Sequence, residues 1–162
     1  MLSVKVKGLR GGKPYSESIA ENIHDAVNIM AKKLALNYHK GVINVRLGRQ
    51  NNQWIGGDAA GTCIGEYKNG SWTIDIVLAR RKRFGLMLRV LAHEMIHAKQ
   101  YLKKDLTVKE NKDAWKGKIW TARKKADPYY DSPWEKEAFG KELALARYCK
   151  KRMGLKNEDL SR

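Results

Sequence analysis

Cysteine, proline and phenylalanine are scarce in this 162-residue chain, at two, three and two residues. The two cysteines, Cys63 and Cys149, lie far apart and share no metal-ligand spacing. They exclude a disulfide scaffold and read as reduced thiols, packed as small hydrophobes in a cytoplasmic protein. No stretch approaches the roughly 18 apolar residues of a spanning helix. The N-terminal Met1-Leu2-Ser3-Val4-Lys5-Val6-Lys7 alternates apolar and basic residues like a strand and has no apolar h-region, which argues against a signal peptide and a membrane anchor. Negative charge is also in short supply: 17 acidic residues face 33 lysines and arginines, for a net charge of +16 and a pI near 9.9. No repeat or low-complexity tract is present, and the length suits a single domain over residues 1–162.

The patterning is α+β. Ser18-x-x-Glu21 opens a helix whose Ile23, Val27, Met30 and Leu34 form one apolar stripe, ending before Gly41. His24 lies off that stripe and His39 near the helix end, so both read as surface residues. Strand signals follow at Val42–Leu47, Thr62–Tyr67 and Trp72–Leu78, with Asn69-Gly70 as a tight hairpin turn. A small, mainly antiparallel sheet is expected. The glycine-rich 56–61 segment lacks the Lys-Ser/Thr ending of a phosphate loop and reads as a mobile turn.

His93-Glu94-Met95-Ile96-His97 carries the chemistry. One helical turn separates the two histidines, so both imidazoles point the same way and can grip one metal ion. Glu94 lies about 100° around the helix, placed to act as a base rather than a ligand. Phe84, Leu88, Leu91, Met95, Ala98 and Leu102 form an apolar stripe on the opposite face. A catalytic zinc takes three protein ligands and leaves one position open. The third is expected on a last long helix that starts near Ser132, an N-cap, with Pro133 in its first turn. Glu135 falls at the capping-box position, which favours Glu137 as the ligand, with Glu135 as the alternative and Asp131 as a third choice.

His93 to His97, followed by Ala98 and Tyr101, resembles the active-site helix of the SprT-like (Spartan-type) zinc peptidases. The segment 59–63 and Ile76-Val77-Leu78 resemble the strands before that helix, and the likeness covers roughly residues 20 to 125. The family's third histidine precedes a glycine, where this chain has Lys116 before Gly117. Glu137-Ala138 instead resembles the thermolysin-like pattern of a glutamate ligand followed by an alanine. In that pattern an aspartate four residues on supports the first histidine; here the position is Lys141, leaving the supporting carboxylate unassigned. The resemblance implies a minimal zincin-like domain, with the sheet packed on the first helix and the active-site helix and the third ligand on a C-terminal helix. It also implies an extended substrate paired with an edge strand, expected at Trp72–Leu78.

The function expected from these features is hydrolysis of peptide bonds by zinc-activated water, with Glu94 as general base and an oxyanion donor among Tyr130, Tyr129 and Tyr101. Basic residues cluster at Arg80, Arg81, Lys82 and Arg83 before the active-site helix, from Lys103 to Lys125 after it, and at Lys150-Lys151-Arg152. Trp115 and Trp120 lie among them, an interleaving suited to stacking bases beside phosphates. Nucleic acid is therefore the expected polyanion, fitting a protease of DNA-associated proteins. Two other classes share these features: a nucleic-acid-binding module with a structural zinc, and a mobile-element effector acting on one host protein.

Overall fold

A computed structural model of the chain describes residues 1–8, 17–48, 60–79, 83–122 and 127–161. In chain order the elements are β1 (Leu2–Gly8), α1 (Glu17–Lys33), β2 (Gly41–Gly48), β3 (Gly61–Lys68), β4 (Ser71–Ala79), α2 (Phe84–Leu102), β5 (Leu106–Lys109), β6 (Lys112–Trp115), β7 (Lys118–Ile119) and α3 (Pro133–Arg152). The α+β reading holds.

The main sheet has the order β1-β2-β4-β3. β1 pairs parallel to β2 and β2 parallel to β4, with Val4 opposite Ile43 and Val45 opposite Ile76. Among the described strands of this sheet only β3 and β4 pair antiparallel, joined at Asn69-Gly70, whose φ values of 51° and 75° are those of a tight primed hairpin turn. The expected mainly antiparallel sheet is thus corrected to a mixed one. α1 lies between β1 and β2 in sequence and returns the chain to the same end of the sheet, which a parallel pair requires. β4 then inserts between β2 and β3, so Trp72–Leu78 is an interior strand. The edge is β3.

Period-two alternation puts Ile43, Val45, Ile74 and Ile76 into the core, where they meet Ile23, Val27 and Met30 of α1 and Leu88, Leu91 and Met95 of α2. The opposite sheet face carries Asn44, Arg46 and Asp75, linked by an Asn44–Asp75 hydrogen bond of 3.1 Å. The stripe expected on α2 is buried from Leu88 to Leu102, with Phe84 half-buried at its start, but the histidine face is buried too, because α3 packs along it. A second, three-stranded antiparallel sheet, β5-β6-β7, follows α2 and had no counterpart in the sequence reading. Its turns fall at Glu110-Asn111 and Lys116-Gly117, all four residues at positive φ. Among the described residues no helix is long and apolar enough to cross a membrane.

Candidate metal centre

α2 presents His93 and His97 one turn apart, their Nε2 atoms 3.1 Å from each other. α3 brings Glu135 against both: Oε2 lies 3.1 Å from His93 Nε2 and Oε1 3.3 Å from His97 Nε2. The three donor atoms lie within 4.8 Å of one another and all three residues are buried, a group that could hold a metal ion.

The tautomers follow from the surrounding hydrogen bonds. Gln100 uses its amide NH2 on Trp134 O and Glu137 Oε2, both 3.0 Å away, so the oxygen of its side chain faces His97 Nδ1 at 2.8 Å. That nitrogen must therefore carry a hydrogen. Glu142 Oε2 stands 2.8 Å from His93 Nδ1 and requires the same of it. With both Nδ1 positions donating, the neutral rings turn lone pairs toward each other and toward the Glu135 carboxylate. Such a cluster needs a positive charge at its centre. Without a metal a proton serves. Burial disfavours the His93 cation, but hydrogen bonds to Glu135 and Glu142 outweigh it and lift the pKa from 6.5 to about 9. Burial likewise opposes the Glu135 carboxylate, yet its bonds to His93 and His97 hold it down at about 2. The donor set, two imidazoles and a carboxylate with supported outer nitrogens, fits a divalent metal ion.

Glu137 is not in this group. Lys99 and Lys141 each place Nζ 2.6 Å from its Oε1, and these bonds, with that from Gln100, bring its pKa to about 2 against the effect of burial. Two residues of helix turn a side chain by about 200°, so Glu135 and Glu137 cannot both face the histidines. The Ser132 cap forms, but only on one side. Ser132 Oγ does accept from the Glu135 N–H at 3.4 Å, but the Glu135 side chain turns to the histidines while the Ser132 N–H bonds Tyr129 O. Asp131 closes the preceding turn by accepting from the Asp127 N–H at 2.8 Å. Glu142, the supporting carboxylate missed at the sequence level, lies seven residues past Glu135, two full turns along the same face. That spacing was the available signal.

A cleft of about 340 Å³ opens beside the centre, lined by Gly61, Thr62 and Cys63 of β3, by Glu94, His97 and Tyr101 of α2, and by Leu106, Tyr129, Trp134 and Glu135. Glu94 is buried, and a Cβ on Gly61 would come 2.8 Å from its Oε1, so glycine leaves the space that carboxylate occupies. Cys63 is half-buried at this wall rather than in the core; burial first, then the charges of Glu94 and Asp75, keep its thiol protonated. Cys149 is buried as expected. Of the three candidate tyrosines, Tyr129 lines the cleft beside Glu135, and desolvation and the Glu135 charge push its hydroxyl well above the ordinary range. Tyr101 also lines the cleft, its ring packed over Gly65. Tyr130 instead packs on Tyr129 and Phe139, with ring centroids 5.0 and 5.6 Å away.

The basic and aromatic candidates separate. Arg80, Arg81 and Lys82 lie outside the described residues, as do residues 49–59, which include most of the glycine-rich segment. Arg83 pairs with Asp159 at 2.7 Å. Trp115 and Trp120 are half-buried against Trp134, with centroids 6.5 and 5.1 Å away, rather than standing free among lysines. Lys116 sits in the β6-β7 turn with its ammonium over the Trp115 ring. His24 is exposed and His39 half-buried, and neither belongs to the metal group. No protein-family model matches the chain, and neither does any curated protein or solved structure.

Proposed function

We propose that this protein is a zinc-dependent endopeptidase of the SprT-like kind, with His93, His97 and Glu135 as ligands and Glu94 as general base. The observation that carries the reading is the pair of inward-facing Nε2 atoms closed by a buried carboxylate, with a further buried carboxylate, Glu94, on the wall of an adjoining cleft. A structural zinc is normally closed by four protein ligands and has no use for Glu94 or for an opening. Two imidazoles and one carboxylate suit zinc among the common divalent ions. Zinc would supply Lewis acidity, activating water near neutral pH and polarising a carbonyl.

The chain's own residues do the rest. Glu94 takes the proton from the attacking water and passes it to the departing amine. Tyr129, kept in its phenol form, donates a hydrogen bond to the developing oxyanion. The outer edge of β3 is unpaired among the described strands and borders the cleft at Gly61–Cys63, so an extended peptide can add there through backbone bonds with little demand on sequence. The net charge of +16 supports association with nucleic acid, which would hold the enzyme near bound proteins. The test is cleavage of an unfolded protein by the zinc-loaded chain. Activity should vanish in Glu94→Gln while one zinc per chain remains; a zinc-loaded wild type that cleaves nothing in a broad peptide library would refute the reading.

A further inference from the structure

α2 begins without a side-chain cap and without an acidic residue in its first turn. Its cap comes from far along the chain: Glu158 Oε2 accepts from the Gly85 N–H at 2.9 Å. A Cβ on Gly85 would lie only 2.1 Å from Asp159 O, so glycine is what lets this segment approach. Asp159 pairs with Arg83 at 2.7 Å, and Leu160 buries its side chain in the core. These contacts fix the Leu160 carbonyl, which accepts from one terminal nitrogen of Arg89 at 3.1 Å.

Arg89 then reaches the metal group. Its Nε donates to Glu142 Oε1 at 2.7 Å, and Glu142 Oε2 accepts from His93 Nδ1 at 2.8 Å. The guanidinium is a planar fork, so holding one nitrogen on Leu160 O constrains where the other meets Glu142. Glu142 itself is wholly buried. A carboxylate tied at one oxygen holds the imidazole ring at the other. Arg89 stands one turn before His93 on α2, so the whole relay runs along a single helix face.

We propose that residues 158–161 position the metal centre: through Arg89 and Glu142 they set the orientation of His93, and thereby the affinity for the metal. The proposal rests on the metal-centre reading. Arg89 and Glu142 are positioning residues that need touch no substrate. Loss of such outer partners typically weakens metal binding about 10- to 100-fold.

The experiment is a double-mutant cycle on zinc affinity, measured by competition with a chromophoric chelator, with the cobalt(II) absorption spectrum as a second readout. The variants are Arg89→Met, a chain ending at Asn157, and both together. Each single change should weaken zinc binding about tenfold or more, and the combination should be no weaker than Arg89→Met alone, since both act through one carboxylate. The cobalt spectra of both single variants should shift alike. Circular dichroism of the metal-free proteins checks folding. If the shortened chain fails to fold, the full-length Glu158→Ala/Asp159→Ala variant, which keeps Leu160, replaces it. Folded variants that bind zinc as tightly as wild type, or losses that simply add, would overturn the relay; if His93→Ala still abolishes binding in that case, the metal-centre reading stands. A wild type that binds no zinc would overturn both.

Discussion

Zinc binding should tighten steeply as pH rises toward 9. In the metal-free centre a proton sits on His93 with a pKa of about 9, held by Glu135 and Glu142 against the effect of burial. A metal needs that nitrogen bare, so binding expels the proton. At pH 7 the cost is about a hundredfold in affinity, about 3 kcal/mol, relative to the deprotonated centre. Each pH unit below about 9 should therefore weaken binding close to tenfold, with a plateau above it. Chelator competition at several pH values gives the slope. Calorimetry in two buffers of different ionisation enthalpy gives the protons released, close to one per zinc at pH 7 and about half at pH 9. Constant affinity from pH 7 to 9 with no proton release would mean that His93 is neutral, and the argument from facing lone pairs would fail.

Glu135→Ala should abolish tight zinc binding while Glu137→Ala retains it, and metal content of the two purified variants decides directly between the carboxylates. Gly61→Ala should keep zinc but lower kcat by about a hundredfold, because its Cβ would lie 2.8 Å from Glu94 Oε1 and force the base to move; unchanged kcat would show that Glu94 has room elsewhere. The metal-free protein should lose stability at both pH extremes, as read by chemical denaturation. His93 has a folded pKa above its ordinary value, so its contribution is full below about 6.5 and lost as pH rises through about 9; the Glu135 pKa is lowered, so its contribution is full above about 4.5 and lost as pH falls through about 2. Gly85→Ala should destabilise the fold by roughly 3 kcal/mol or more, since the obstacle is the backbone carbonyl of Asp159 and not a movable side chain.

Local chemistry was legible in the residues alone. The apolar stripe of α2, the one-turn spacing of His93 and His97, the Ser132-Pro133 start of α3 and the Asn69-Gly70 turn are each set by helical or turn geometry within a few residues, and each stands in the structure as read. What neighbours what across the chain was not legible. Strand order depends on which distant segments pair, and β4 lies between β2 and β3, making β3 the wall of the cleft. That Glu135 rather than Glu137 faces the histidines follows from the rotation of α3 about its axis, set by packing against α2, which a local capping preference does not encode. Beyond the seven-residue spacing of Glu135 and Glu142, the supporting groups Gln100, Arg89 and the 158–161 segment carry no motif. Gln100 reaches His97 from three residues along α2, but Glu142, Arg89 and the Leu160 carbonyl bear on the centre only because folding brings residues 49 to 71 positions apart into hydrogen-bond contact, a property of the packed helices that no local stretch of sequence contains.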